Sequence, residues 1–290
     1  YLRLKHLWRT NTRAQARKNI AAHYDLSNDF YGLWLDPTMT YSSACFDGDD
    51  SRSLESAQHA KYERMLTMVG AQDGQHILEI GCGWGGFAEY AVRTRNVRVT
   101  GITLSPAQLG YARAHLEKTG LAAQVDLQLI DYRDLRGHYD HIVSVEMFES
   151  VGERYWRTFF DVLHARLKPG GRAALQSITI DEKVFERYRR SSDFIREYIF
   201  PGGMLAPQSR MVADAARSGL ALQTSARCGR DYATTLKLWR ERVHAAIGPV
   251  RALGFDEQFL RLWQFYLCYC EAGFRCGRTD VAQLAFSHAR

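Results

Sequence analysis

A glutamate followed by three closely spaced glycines could build a site for a bound nucleotide. Glu79 ends an apolar run, and Gly81, Gly83 and Gly85 follow it at alternate positions. Glycine accepts positive φ and has no side chain, so a strand, a glycine turn and a helix in this order let the backbone approach a ligand closely. The spacing is not the G-x-G-x-x-G of dinucleotide binders, and glycine turns also form for packing alone. The segment therefore predicts a nucleotide site of a different type.

The pattern E-x-G-x-G-x-G resembles the S-adenosylmethionine loop of class I methyltransferases, which sets requirements for the neighbouring strand ends. The carboxylate of the cofactor needs backbone N–H groups of the loop. The ribose needs an acceptor after the second strand, where the chain has no acid and Thr103 and Gln108 must serve. After the third strand, Asp131 offers an acceptor for the adenine amino group and Tyr132 offers an aromatic face. Asp131 is equally well explained as a helix cap.

Strand and helix patterns alternate around this loop, so the elements that position it can be predicted. The alternation predicts an α/β fold with a doubly wound, mostly parallel, seven-stranded Rossmann-like sheet of the methyltransferase type. Ligands bind such sheets beyond the carboxyl ends of the strands. The predicted strands are 77–80, 97–102, 125–129, 142–145, 172–178, 220–224 and 283–286, and the predicted helices include 54–69, 86–94, 106–118 and 156–166.

Two segments break the alternation, and each is expected to cover the sheet. Residues 1–70 precede the first strand and are predicted to form a helical segment that packs on the cofactor site. Residues 71–290 form the cofactor-binding core, within which about 180–206 is rich in arginine and aromatic residues. An insertion after the fifth strand can fold over the strand ends, so we interpret it as a substrate lid. An ordinary surface insertion is the alternative.

The uneven charge of the chain bears on its partners. The formal net charge is +6 with a pI near 9.0, and residues 1–18 contain six basic side chains, no acid and several interleaved apolar residues. This segment is either a solvated helix end or a surface attracted to anionic phospholipid or nucleic acid, and charge alone does not decide. No apolar run is long enough for a membrane span, and no signal peptide opens the chain.

The six cysteines are scattered through the chain, which favours free thiols in a reducing compartment over a disulfide framework. Cys268, Cys270 and Cys276 lie close together. Their C-x-C-x5-C spacing fits no common zinc pattern, so we predict no metal site. These features lead us to expect a cytoplasmic protein.

Motifs spread over residues 19–286 make the resemblance more specific. In their order along the chain they resemble the cyclopropane fatty acid synthase family, which includes the mycolic acid cyclopropane synthases. Many short matches in one order leave little room for chance. The matching motifs are AHYDLSNDFY at 22–31, MTYS at 39–42, GCGWG at 81–85, GITLS at 101–105 with Gln108, DYRD at 131–134, MFE at 147–149, YIFPGG at 198–203 and DYATTL at 231–236.

This resemblance implies that S-adenosylmethionine is the cofactor. It also accounts for the missing acid after the second strand, because the family uses the Thr-Leu-Ser segment there. The cofactor-binding residues that it implies, together with the acceptors inferred above, are Tyr41, Ser42, Glu79, Gly81, Gly83, Thr103, Leu104, Gln108, Asp131, Tyr132 and Arg133.

The family's reaction makes strong demands on the site. The cis double bond of an acyl chain attacks the sulfonium methyl group, and because an alkene is a poor nucleophile the site must align the two and exclude water. Aromatic faces and carboxylates can stabilise the resulting carbocation. In the family, a bound bicarbonate ion is understood to take a proton from the new methyl group, which closes the ring.

The bicarbonate ligands that the resemblance implies are only partly present. Glu149, Ile178 and Tyr266 match, whereas Ser43 stands at the position of the family's cysteine and Gln176 at that of its histidine. Serine and glutamine offer hydrogen bonds without the charge of histidine, so an anion pocket can persist with weaker affinity for bicarbonate. We therefore expect an intact methyl-transfer half of the reaction and an altered deprotonation half.

The motifs together predict a transferase for the unsaturated acyl chains of membrane phospholipids, bound peripherally at the inner membrane face. Cyclopropane is the family's default product, and a methylene- or methyl-branched alkene is the alternative. The sequence leaves open whether the chain is a monomer or a homodimer. A small-molecule methyltransferase and a non-catalytic binding protein are weaker alternatives. A nucleic-acid partner is disfavoured, because Glu146-Met147-Phe148-Glu149 stands where an Asn/Asp-Pro-Pro-aromatic motif would be expected.

Overall fold

The structure, a computed structural model, describes residues 11–13, 15, 16 and 26–289. Most of the basic segment at residues 1–18 and the motif residues 22–25 lie outside the described residues. Within the described ranges, none of the helices combines the length and the apolar character that a membrane crossing would require.

One sheet of seven strands organises the molecule. The strands are β1 (His76–Ile80), β2 (Arg98–Thr103), β3 (Val125–Leu129), β4 (Tyr139–Val145), β5 (Leu167–Ile180), β6 (Leu220–Arg227) and β7 (Thr279–His288). Their order across the sheet is β3-β2-β1-β4-β5-β7-β6. The first five strands pair in parallel, and β7 runs antiparallel to both β5 and β6. The predicted seven-stranded, mostly parallel sheet is therefore confirmed.

Helices cover both faces of the sheet, and capping residues fix several of their ends. The Ser53 side chain caps one helix at its start, Gly70 at φ +73° ends it, and Ser105 accepts the backbone N–H of Gln108 at the start of another. These signals are readable in the sequence. The helices are α1 (Asn28–Gly32), α2 (Leu54–Val69), α3 (Gly86–Arg95), α4 (Pro106–Lys118), α5 (Trp156–Arg166), α6 (Glu182–Arg190), α7 (Gln208–Arg217), α8 (Gly229–Ala245), α9 (Ile247–Ala252) and α10 (Glu257–Arg275).

The last three strands are longer than their apolar patterns predict. β5 begins at Leu167, which pairs with Tyr139 of β4 ahead of a register shift, so pairing starts before the predicted residue 172. β7 pairs with β5 from Arg172 to Ile180 and with β6 on its other side. Backbone hydrogen bonding continues past the buried stretch because it does not depend on side-chain polarity, which the sequence pattern reports.

Residues 30–46 pack against α8 and α10 through a buried aromatic cluster. Phe30, Trp34, Trp239 and Trp263 are buried, and the Trp34 ring lies 5.5 Å from that of Trp239 and 5.9 Å from that of Trp263. The cluster fixes the segment after α1 against α8 and α10. It thereby holds Tyr41, whose ring centroid is 5.4 Å from that of Trp34, at the edge of the site.

The insertion at residues 180–206 contains α6 and a single π-helical turn, Ile195–Ile199. Arg196 in this turn is buried, and its guanidinium donates to the Tyr188 carbonyl oxygen at 3.1 Å. The Met204 backbone N–H also donates a hydrogen bond to the Glu149 carbonyl oxygen at 2.9 Å. The insertion is therefore fastened beside the strand ends, where a substrate cover has to be. Its opening and closing as a lid stays a prediction.

Candidate active site

A cavity lies beyond the carboxyl ends of β1, β2 and β4, the edge at which doubly wound sheets bind ligands. The glycine loop forms one wall, and residues 39–42 from the segment after α1 form another. Nine of the eleven predicted cofactor-binding residues line it: Tyr41, Ser42, Glu79, Gly81, Gly83, Thr103, Leu104, Gln108 and Tyr132. Residues far apart in the chain are thus brought to one place. Their contact with the cofactor itself stays a prediction.

The glycines of the loop differ in the space that a side chain at each position would have. Gly81, Gly83 and Gly85 have φ of +88°, +52° and +92°. A Cβ on Gly81 would lie 2.9 Å from the Cβ of Met147, so the fold itself excludes a side chain there. A Cβ on Gly83 would meet no atom within 4 Å, although Gly83 lines the cavity. A side chain at Gly83 would therefore enter free cavity space rather than the core.

Glu79 is a buried acid whose position calls for a cation. Its side chain is 4% exposed, and Oε2 has no hydrogen-bond partner among the described residues. Burial raises the pKa of Glu79 from 4.5 to about 8, while the charge of Lys61 opposes the rise. An unpartnered buried carboxylate is costly unless a ligand supplies a donor or a positive charge. S-adenosylmethionine carries both an ammonium and a sulfonium group, so this residue fits it.

Polar contacts hold the opposite walls of the cavity in place. The Thr103 hydroxyl donates a hydrogen bond to Oε1 of Gln108 at 2.9 Å. The amide nitrogen of Gln108 takes no part in this hydrogen bond. Lys61 is fully buried and donates to Ser42 Oγ and Gln58 Oε1, each at 2.6 Å. Burial lowers the pKa of Lys61 to about 8. Sequence reasoning missed Lys61, because a lysine inside a helical pattern reads as a surface residue.

Asp131 and Arg133 pair with each other. Asp131 Oδ1 accepts the Arg133 backbone N–H at 3.0 Å and its Nε at 2.8 Å, and Oδ2 accepts Nη2 at 2.6 Å. The ion pair holds the pKa of Asp131 below its usual range, against the effect of burial. Neither residue is among those that line the cavity. Asp131 therefore serves as a cap and an ion-pair partner, and a cofactor contact by either residue stays a prediction.

A second cavity of about 390 Å³ adjoins the first. Its walls are mainly apolar and aromatic, and many come from the 180–206 insertion and from α10. Tyr41, Glu146 and Ser150 line both cavities. The two spaces therefore meet at these three residues. The second cavity is also lined by Glu149, Ile178, Ile180, Tyr188, Ile195, Phe200, Met204, Leu205, Tyr232, Leu236, Tyr266 and Phe274.

Three predicted catalytic residues line the second cavity. Glu149 Oε1 accepts hydrogen bonds from the Ser177 hydroxyl at 3.0 Å and from the Ile178 backbone N–H. Burial, followed by the charge of Glu146, raises the pKa of Glu149 to about 8. The Tyr266 hydroxyl lies 2.7 Å from that of Tyr41. Glu149, Ile178 and Tyr266 are thus assembled at one wall, and their catalytic roles stay predictions.

The other two predicted residues, Ser43 and Gln176, bind a carboxylate of the protein itself. Glu146 Oε1 accepts the Ser43 backbone N–H at 2.9 Å and the Gln176 side-chain amide at 2.9 Å. Gln176 is oriented by Gln283, whose amide donates to its Oε1 at 2.8 Å. Sequence reasoning used Glu146 only to disfavour a nucleic-acid motif. A charged residue directly after the apolar strand β4 was the signal that could have identified it.

Comparison with known proteins places this geometry in a family. The family model described as "Mycolic acid cyclopropane synthetase" matches residues 11–284. The chain is 43% identical to the tuberculostearic acid methyltransferase UfaA1 of Mycobacterium tuberculosis, over 95% of this chain and 66% of that protein. It is 39% identical to the cyclopropane-fatty-acyl-phospholipid synthase of Escherichia coli K12, over 91% of this chain and 66% of that protein.

A solved structure agrees with this placement. That of mycolic acid cyclopropane synthase CmaA1 complexed with SAH and CTAB has a TM-score of 0.88 and 33% identity, covering 93% of this chain and 97% of that one. The chain spans about two thirds of the length of the curated relatives above. The fold is that of S-adenosylmethionine-dependent methyltransferases, and by the extent of these matches the chain belongs to the mycolic acid cyclopropane synthetase family.

Proposed function

We propose that this protein transfers a methyl group from S-adenosylmethionine to the cis double bond of an unsaturated acyl chain in a membrane phospholipid. The observation that carries the proposal is the meeting of the two cavities at Tyr41, Glu146 and Ser150. One cavity has the lining of a nucleotide site, and the other is apolar and shaped for a hydrocarbon. Methyl transfer between two such ligands requires a shared opening of this kind.

Different residues of the first cavity are assigned to different groups of the cofactor. Glu79 offers a carboxylate to its cationic groups, and the bare backbone at Gly83 permits a close approach. Thr103 and Gln108 offer polar atoms at the end of β2. When bound, S-adenosylmethionine supplies an electrophilic methyl group. A contact of Asp131 or Arg133 with the cofactor stays a prediction.

The second cavity supports the chemistry of the acyl chain. Its apolar walls exclude water, which matters because water would capture a carbocation. The rings of Tyr41, Tyr232 and Tyr266 line it, and aromatic faces attract a positive charge most strongly where solvent is absent. The half-buried side chains of Glu146 and Glu149 line the same cavity. Together they offer an environment that stabilises positive charge on the chain.

Two products remain candidates, and a specific observation favours the second. Cyclopropane is the default of the family. A methylene- or methyl-branched alkene is favoured by Ser43 and Gln176, which replace the family's cysteine and histidine where the base is expected to act. The 43% identity to a protein named as a tuberculostearic acid methyltransferase supports the branched product as well.

The surface beside the second cavity fits a membrane. Tyr198, Phe265 and Tyr269 are exposed by 68%, 52% and 37%, and they join Phe194 in what we call the aromatic patch, with the Phe194 and Phe265 rings 4.7 Å apart. Tyr269 also lines the cavity. Exposed aromatic rings grouped in this way are typical of interaction surfaces. An acyl chain could therefore pass from a bilayer into the cavity at the patch.

Lipid analysis tests the proposed function. Cells that express the protein and are fed labelled methionine should accumulate phospholipid acyl chains that are heavier by one methyl-derived carbon. Mass spectrometry after derivatisation separates ring, methylene and methyl-branched products. The matched control is the Gly83→Val variant, in which the cofactor cavity is blocked. Equal lipid profiles for the two proteins, both expressed and folded, would refute the proposal.

A further inference from the structure

The carboxyl group of Glu146 lies where a base for the reaction would have to act. Glu146 follows β4, is half-buried, and lines both the cofactor cavity and the acyl-chain cavity. We propose that Glu146 is the general base of this enzyme, a part of the chain that takes the place of a bound bicarbonate ion. The inference rests on the proposed function and deepens it.

The backbone at Glu146 is held in an unfavourable conformation. Its φ is +50°, a region that glycine adopts easily and a glutamate does not. The Glu146 N–H donates to the Gln176 carbonyl oxygen at 2.7 Å, which fixes the main chain there. Such outliers persist where the surroundings enforce them, and they cluster at functional sites. Here the unusual conformation delivers a carboxylate to the junction of two cavities.

Donors from two separate elements hold this carboxylate. The Ser43 backbone N–H and the Gln176 side-chain amide donate to Oε1 at 2.9 Å each. Ser43 and Gln176 are the two positions at which the chain departs from the family's bicarbonate ligands. Gln176 binds Glu146 through its side chain, so in place of a group for a free anion the chain has one that binds its own carboxylate. Ser43 contributes its backbone N–H, which a cysteine would also provide, while its hydroxyl donates to the Ala44 carbonyl oxygen.

Charge favours Glu146 over Glu149 as the ionised acid. Burial raises the pKa of both carboxyl groups, but the charge of Lys61 lowers that of Glu146, whereas the charge of Glu146 raises that of Glu149 further. Two neighbouring buried carboxyl groups do not both ionise readily. The single negative charge of the pair is therefore placed on Glu146, and Glu149 is left in its neutral form at neutral pH.

The step itself is a proton transfer. After the methyl group has joined the acyl chain, a C–H bond of that methyl group breaks and its proton moves to a carboxylate oxygen of Glu146. The electron pair of the broken bond either closes the cyclopropane ring or, after a 1,2-hydride shift within the chain, forms a methylene double bond. Either outcome neutralises the carbocation, and the proton later leaves Glu146 for solvent. No oxidant or reductant is required.

The first test uses the native enzyme and asks whether it needs an external anion. Turnover of phospholipid vesicles with S-adenosylmethionine is measured in buffer depleted of carbon dioxide and in buffer with added bicarbonate. Equal rates are expected. A severalfold loss of rate without bicarbonate would overturn the role of Glu146. Absence of any methylated lipid under both conditions would instead refute the proposed function, so the two failures are distinguishable.

The second test removes the carboxylate. Glu146→Gln should lower product formation by about 100-fold or more, the range of a lost general base, while calorimetry shows unchanged affinity for S-adenosylhomocysteine. Glu146→Gly suits the positive φ and leaves space for an anion, so bicarbonate or acetate should restore activity in proportion to concentration, and ¹³C NMR should detect bicarbonate bound to this variant and not to the native protein.

Controls keep the second test decisive. Ser43→Cys with Gln176→His should create a dependence on bicarbonate only when combined with Glu146→Gly. Retention of more than about a tenth of native activity in Glu146→Gln would overturn the inference, because a lost general base costs at least about 100-fold. If a variant fails to bind S-adenosylhomocysteine and is therefore misfolded, the bicarbonate test on the native enzyme decides alone.

Discussion

The unpartnered carboxyl group of Glu79 makes cofactor binding a proton-linked event. Because burial raises the pKa of Glu79 to about 8, about nine in ten molecules carry a protonated Glu79 at pH 7. A ligand with cationic groups favours the ionised form, so binding at pH 7 should release close to one proton. The perturbation that tests this is Glu79→Gln, which keeps the shape of the side chain and removes the charge.

The magnitudes show why binding still occurs. Ionising Glu79 at pH 7, about one unit below the pKa of about 8, costs about 1.4 kcal/mol. A hydrogen bond between charged groups contributes about 1.5–3 kcal/mol, so the balance is favourable. The amide of Glu79→Gln forms no such ion pair, so the variant loses a net gain of about 0.1–1.6 kcal/mol and its affinity for S-adenosylmethionine should be lower by up to about 15-fold. The variant should release no proton.

Glu79 also makes the stability of the ligand-free protein depend on pH. A carboxyl group whose pKa is raised in the folded state binds more protons there than in the unfolded state, so its contribution is complete below pH 4.5 and is lost as the pH rises towards 8. Between about pH 6 and 8 the free energy of unfolding of the native protein should fall by about 2 kcal/mol relative to that of Glu79→Gln.

Calorimetry in buffers of different ionisation enthalpy measures the proton release, and denaturant unfolding at several pH values measures the stability. Glu117→Gln is the control, because Glu117 is an exposed glutamate on α4. The reasoning is refuted if native binding at pH 7 releases fewer than about 0.2 protons per site, far below the nearly one proton expected from a raised pKa. It is also refuted if Glu79→Gln and the native protein show parallel stability between pH 6 and 8.

Three further predictions concern the cofactor loop, the acid pair and the membrane. Gly83→Val should abolish S-adenosylhomocysteine binding in calorimetry, because valine adds a side chain and backbone strain where the loop faces the cavity at φ +52°; unchanged affinity would contradict the site, and circular dichroism checks that the variant is folded. Glu149→Gln should keep most activity and Glu149→Ala should lose more, because Glu149 is held neutral beside Glu146; equal rates for both variants would count against this. Phe265→Ser should weaken sedimentation with anionic vesicles relative to Leu222→Ser, which removes a 37% exposed side chain outside the aromatic patch; equal binding would exclude the patch.

The sequence alone determined the architecture. Parallel strands buried on both faces read as apolar runs, and capping residues such as Ser105 and Gly70 mark helix ends, so local chemistry was enough to predict the order of elements. The glycine loop was recognisable for the same reason, because a turn that must approach a ligand tolerates few residue types. Strand lengths were underestimated where backbone pairing continues beyond the buried stretch.

Only the tertiary structure decided which charges meet. Lys61 is unremarkable in the sequence, and Ser43, Gln176 and Glu146 are brought together from three elements separated by up to 133 residues. Burial, which sets the pKa of Glu79 and Glu149, is likewise a property of the assembled fold. Local patterns fix backbone conformation through short-range sterics, whereas the environment of a charge depends on every element that packs around it. The sequence therefore located the glycine loop and the sheet edge at which the cavity lies, and the fold set the environment of the charges around it.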